Sequence, residues 1–131
     1  MLSFRNKTLL AIALALPILA TGAAQAQTVS TEKLIAVVVI AKIPAGAPRA
    51  KVEEGILASV PTYQKVPGLL RKVFIVNEDS YGGMYVFASR AAAEAWFTPD
   101  FAAKVKARSG VDPQIIYFDS PVQIDNKAPR S

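Results

Sequence analysis

Two apolar runs of different character stand near the start of the chain. Leu9–Ala20 (LLAIALALPILA) is twelve residues without a charge. As a helix it rises only about 18 Å, against about 30 Å of membrane hydrocarbon, and Pro17 weakens it further. Arg5 and Lys7 precede it, and Ala24, Gln25 and Ala26 supply a small-x-small site behind it. That order predicts a secretory signal peptide over residues 1–26, cut after Ala26. The expected product is one domain, residues 27–131, in the periplasm or secreted, with no stable membrane insertion once cleaved.

The second run, Leu34–Ile43 (LIAVVVIAKI), is apolar at odd and even positions alike and rich in β-branched residues. It predicts a strand covered on both faces. From Pro48 to about Val60 the period changes. Val52, Ile56 and Val60 recur at four-residue spacing while Lys51, Glu53 and Glu54 point away, as in a helix that Pro61 should kink or end. Leu69–Val76 and Tyr81–Phe87 flank the polar Asn77–Ser80 turn and predict an antiparallel hairpin. Ser89 caps one short helix. Thr98, Pro99 and Asp100 start another that Gly110 stops. Gln114–Phe118 is the last predicted strand. Gln27–Lys33 and the tail after Pro121 read as frayed and loose.

The order is β-α-β-β-α-β, with the second helix broken. It predicts an α+β, ferredoxin-like fold: a four-stranded antiparallel sheet with helices on one face. Helices on one face leave the other bare, yet Leu34–Ile43 is apolar on both parities. A second sheet must cover it, so a homodimer packed sheet to sheet is expected. Both parities are equally apolar, so the pattern leaves open which one faces the partner. On one assignment, charge at Val37 or Val39 separates the subunits and charge at Val38 disturbs the core.

Composition narrows the chemistry. Without the leader, thirteen basic and ten acidic residues remain, a net charge of +3 with the basic residues scattered. That argues against a nucleic-acid partner. The chain has no cysteine and no histidine. The usual thiolate nucleophile, neutral-pH base, zinc ligand and axial haem ligand are therefore absent. No Gly-x-Gly-x-x-Gly or phosphate loop supports a nucleotide cofactor. The expected cofactor complement is none.

Pro67-Gly68-Leu69, Lys72-Val73-Phe74, Gly82-Gly83 with Tyr85 and Phe87, and Phe118-Asp119 occur in that order. With these pieces the chain resembles the small bacterial YdhR-type proteins, a family named for mono-oxygenation. It departs from them in its leader and in having Arg71 and Phe74 where a tryptophan is expected near the second-strand lysine. The resemblance implies a dimeric α/β barrel. It also implies relatives that oxygenate quinol-like or anthrone-like aromatics without metal or flavin.

Such chemistry needs an apolar pocket, a proton acceptor and a donor for the developing oxyanion. The candidate catalytic residues are Lys72, Tyr85 and Tyr117. The candidate pocket residues are Tyr63, Phe74, Trp96, Phe97 and Phe101. No base stands out. Asp119 and Glu94 would serve only if desolvated. Three functions stay open: a cofactor-independent mono-oxygenase on a small aromatic or quinol-like substrate, an exported protein that binds a small apolar or aromatic molecule, and a structural homodimer.

Overall fold

A computed structural model describes residues 28–126; the expected leader and its cut site lie outside them. The elements are β1 (Thr28–Ser30), β2 (Leu34–Lys42), α1 (Arg49–Tyr63), β3 (Leu69–Val76), β4 (Ser80–Phe87), α2 (Arg90–Trp96), α3 (Pro99–Ser109), β5 (Gln114–Ser120) and β6 (Gln123–Asp125). Four strands form one sheet in the order β3-β4-β2-β5, every neighbouring pair antiparallel. This is the α+β ferredoxin-like arrangement. One expectation is corrected at the termini. β1 and β6, read as frayed and loose, pair with each other as a second, two-stranded sheet, Val29 opposite Ile124.

The helix boundaries follow local chemistry. The Ser89 hydroxyl accepts from the Ala92 N–H and starts α2. The Thr98 hydroxyl accepts from the Phe101 N–H, Pro99 opens the first turn of α3, and Gly110 ends it in the left-handed region at φ 83°. Pro61, expected to kink or end α1, does not end it; it sits inside the last turn, where its missing N–H removes a bond from an end that frays anyway.

The two faces of β2 separate cleanly. Ile35, Val37, Val39 and Ala41 are buried beneath the helices, and Val37 and Phe87 are fully enclosed. Leu34, Ala36, Val38 and Ile40 lie on the opposite, helix-free face. The assignment that put Val37 and Val39 at the partner is therefore reversed: they are core, and Val38 is on the open face. On that face the register aligns Val73, Met84, Val38 and Ile116 in one row. Val73, Met84, Ile116 and Phe118 are exposed there.

Beneath the helices, Phe87, Phe97, Tyr85 and Ala93 centre the core. α2 contributes Ala93 and α3 contributes Val105 as buried residues, but α1 contributes none. The first helix thus stands off the sheet, and the space it leaves is the cavity described next.

Candidate active site

The cavity holds about 310 Å³, at the small end of ligand pockets. α1 forms one wall with Val52, Gly55, Ile56, Ser59 and Tyr63. The sheet forms the floor with Val39, Ala41, Lys72, Phe74 and Tyr85, and α3 closes a side with Phe101 and Val105. Gly55 widens it directly, since a Cβ there would meet nothing within 4 Å.

One backbone irregularity aims the polar group. Leu69 pairs with Phe87, yet Arg71 pairs with Val86, so Leu70 is an extra residue in β3. This bulge changes the strand's parity. Leu69 faces the helices before it, while Lys72 and Phe74 face them after it. Without the bulge Lys72 would share the open face with Val73's present neighbours. Gly83 then makes room opposite. A Cβ on it would lie 2.9 Å from the Tyr85 ring and 3.0 Å from Lys72 Cε.

Lys72 Nζ ends inside an aromatic cage, 2.9 Å from the Tyr63 ring centroid, 3.8 Å from Phe74 and 4.7 Å from Tyr85. Among the described residues it makes no ion pair, while six other cations are each paired to a carboxylate, all at the surface. Burial without a counter-charge pushes its amine down from 10.5 to about 7. The ring faces act the other way, since their quadrupoles favour the ammonium. Tyr85, 3 % exposed, is pushed upward by burial and then by the Tyr63 and Tyr81 hydroxyls nearby. It remains a phenol and so an O–H donor. An amine able to lose its proton near neutrality thus sits across the strand pair from a permanent donor.

The remaining sequence candidates divide. Tyr63, Phe74 and Phe101 line the cavity with Lys72 and Tyr85; Tyr117, Trp96 and Phe97 do not. Lys72, Tyr85, Val37 and Tyr117 occupy one row across the sheet, but Tyr117 is on the opposite edge strand. Three strand spacings, about 14 Å, separate it from Lys72. Its ring lies under the Arg90 guanidinium at 4.3 Å, beside the Arg90–Glu94 ion pair. Burial, then the Glu94 charge, raise its hydroxyl. Phe97 is a core residue, its ring edge-on to Tyr85 at 5.0 Å and to Phe101 at 5.1 Å. Trp96 packs edge-on to Tyr63 at 5.5 Å and borders a shallow groove with Pro61, Lys65, Val66 and Pro67. Its indole N–H is buried without an acceptor among the described residues. Asp119 and Glu94, considered as bases, are both exposed and outside the cavity.

Sequence reasoning missed two cations: Lys51, which points away from the apolar face of its helix, and Arg108, which reads as facing water or the helix's C-terminal end ahead of Gly110. Both are exposed and both border the cavity. Helical spacing from Ile56 could not reveal this, because the space under α1 arises from how the helix is set on the sheet.

No family model matches the chain, and no curated protein matches it significantly. Solved structures do. A protein of unknown function from Nitrosomonas europaea is similar over 78 % of this chain and all of its own, at 17 % identity and a TM-score of 0.58. SnoaB, a cofactor-independent oxygenase from Streptomyces nogalater, aligns over 66 % of this chain and 92 % of its own, at 20 % identity and a TM-score of 0.48. A candidate antibiotic biosynthesis monooxygenase from Caulobacter crescentus CB15 aligns over 69 % and 92 %, at 24 % identity and a TM-score of 0.46. At these identities the likeness is one of fold.

Proposed function

We propose that this protein is a cofactor-independent mono-oxygenase acting on a small aromatic of the quinol or anthrone kind. The observation that carries the reading is Lys72, a half-buried amine with no carboxylate partner among the described residues, facing an apolar cavity beside the Tyr85 hydroxyl. The sequence resemblance to YdhR-type proteins supports it.

In this reading, for a substrate of the anthrone kind, the neutral Lys72 amine takes a proton from the acidic ring methylene. The Tyr85 O–H donates to the oxygen on which negative charge gathers. The carbanion passes one electron to dioxygen, and the radical pair combines as a peroxide on that carbon. The ammonium returns its proton to the peroxide. Loss of the remaining C–H proton and of hydroxide then leaves a carbonyl and water. One oxygen atom enters the product, the other leaves in water, and all four electrons come from the methylene carbon.

The open sheet face completes the proposal. Its row of Val73, Met84, Val38 and Ile116 puts apolar side chains on a helix-free face, and we assign a second copy of the chain as its partner. With the leader removed, the dimer works outside the cytoplasm.

Oxygen uptake by metal-free protein, with a panel of hydroquinones and anthrones, tests the activity. Lys72→Met should lower uptake at least about 100-fold, the usual range for a lost proton acceptor. Uptake no faster than without protein, for compounds that calorimetry shows to bind, would reject catalysis in favour of a binding protein.

A further inference from the structure

We infer that the ligand of this cavity is an aromatic carrying an acidic substituent, with Arg108 as the group that recognises the anion at the mouth. The inference rests on the cavity being a ligand site, whether or not oxygen reacts there. Among the described residues its lining holds three cationic side chains, Lys51, Lys72 and Arg108, and no carboxylate.

The pairing of charges singles out Arg108. On α3, Lys104 pairs with Asp100 at 2.9 Å and Lys106 with Asp112 at 3.0 Å. Arg108, one turn further, makes no ion pair among the described residues and turns to the cavity instead. Lys106 and Arg108 both lie in the last turn of α3, where the helix dipole favours a cation, but only Arg108 also borders the cavity. Lys51 enters the same rim from α1, held 2.8 Å from Glu54 by an exposed pair that a ligand can displace. The guanidinium fork matches a carboxylate through two parallel N–H···O bonds. A molecule bound by its ring against Val52, Ile56 and Phe101, beside the caged Lys72 amine, places a substituent toward the opening, where these charges stand. Neutral aromatics fill the same volume but leave the Arg108 charge without a counter-ion.

The test is a comparison of naphthol with hydroxynaphthoate by calorimetry at low salt, on the full protein. Hydroxynaphthoate should bind about five- to tenfold more tightly, as expected for a solvent-accessible charge-assisted pair. The ratio should fall toward one in Arg108→Gln, recover in part in Arg108→Lys, and shrink as salt is raised. Thermal melting of each variant confirms that it is folded. Equal affinity of the two compounds, failure of both to bind, or a ratio unchanged in the Arg108→Gln, Lys51→Gln double variant would overturn the inference. Oxygen uptake is read separately. Its absence removes the oxygenase reading and leaves the anion preference standing, while uptake without the preference does the reverse.

Discussion

Replacing Lys72 by methionine should make the protein more stable, by an amount that depends on pH. Methionine has a similar length and flexibility and no charge to desolvate. Lys72 has its amine lowered from 10.5 to about 7. At about 1.36 kcal/mol per pH unit the full difference is about 5 kcal/mol. Two effects reduce it. The side chain is only half-buried, so water screens part of the penalty, and three ring faces attract the ammonium. About 1–3 kcal/mol is left, or roughly 5–15 °C in Tm for a domain of this size. The sign follows from proton counts. At pH values below about 7 the amine is charged in both states, and the folded state bears the whole penalty. Between about 7 and 10.5 only the unfolded chain holds the proton, so the stability of the native protein rises with pH. Above that window the penalty is gone. Melting curves by circular dichroism at intervals from about pH 6 to 10 should therefore show the variant well above the native protein at the acid end. The gap should close toward the alkaline end. A variant that melts lower at pH 7, or a gap that ignores pH, would refute the account of Lys72 as an unpaired, desolvated amine. A lysine that costs stability where an apolar residue would not is a mark of a working site.

Gly55→Leu should grow into the cavity without a clash and raise helix propensity by up to about 1 kcal/mol. It should abolish ligand binding with Tm held or raised, and binding that persists in calorimetry would remove the cavity as the site. Gly83→Ala should cost about 1–3 kcal/mol by overpacking, since its methyl meets the Tyr85 ring at 2.9 Å; a native-like melting curve would contradict that geometry. On the open face, Val38→Glu should leave a folded monomer in sedimentation where the proposed dimer is the native state, whereas Val37→Glu, at a position with 0 % exposure, should unfold the chain. A native protein that sediments as a monomer at micromolar concentration would overturn the dimer.

The sequence by itself determined whatever depends on neighbours along the chain. The apolar ends of Leu69–Val76 and Tyr81–Phe87 around a polar turn, the four-residue spacing in α1, and the caps at Ser89, Thr98 and Gly110 act within a few residues, so the order of the elements between the terminal strands was legible without a structure. Cysteine and histidine counts likewise excluded whole chemistries at once. Lys72 and Tyr85 stood out as polar-tipped groups on apolar strands, but which of the eight candidate residues share one cavity was not legible in the sequence. Tertiary structure decided the rest. β2 is apolar on both parities, so only the seating of α2 and α3 could tell Val37 from Val38. The extra residue at Leu70 is a matter of pairing between two strands, and nothing in LLRKV marks it. Tyr117 and Lys72 look alike as polar strand residues, but the order β3-β4-β2-β5 sends them to opposite edges. Arg108 reads as an ordinary helix-end cation until α1 is set over the sheet and leaves a space for it to border. Each of these depends on contacts between residues far apart in the chain, and a pattern read within one segment carries no information about which distant segment will lie against it.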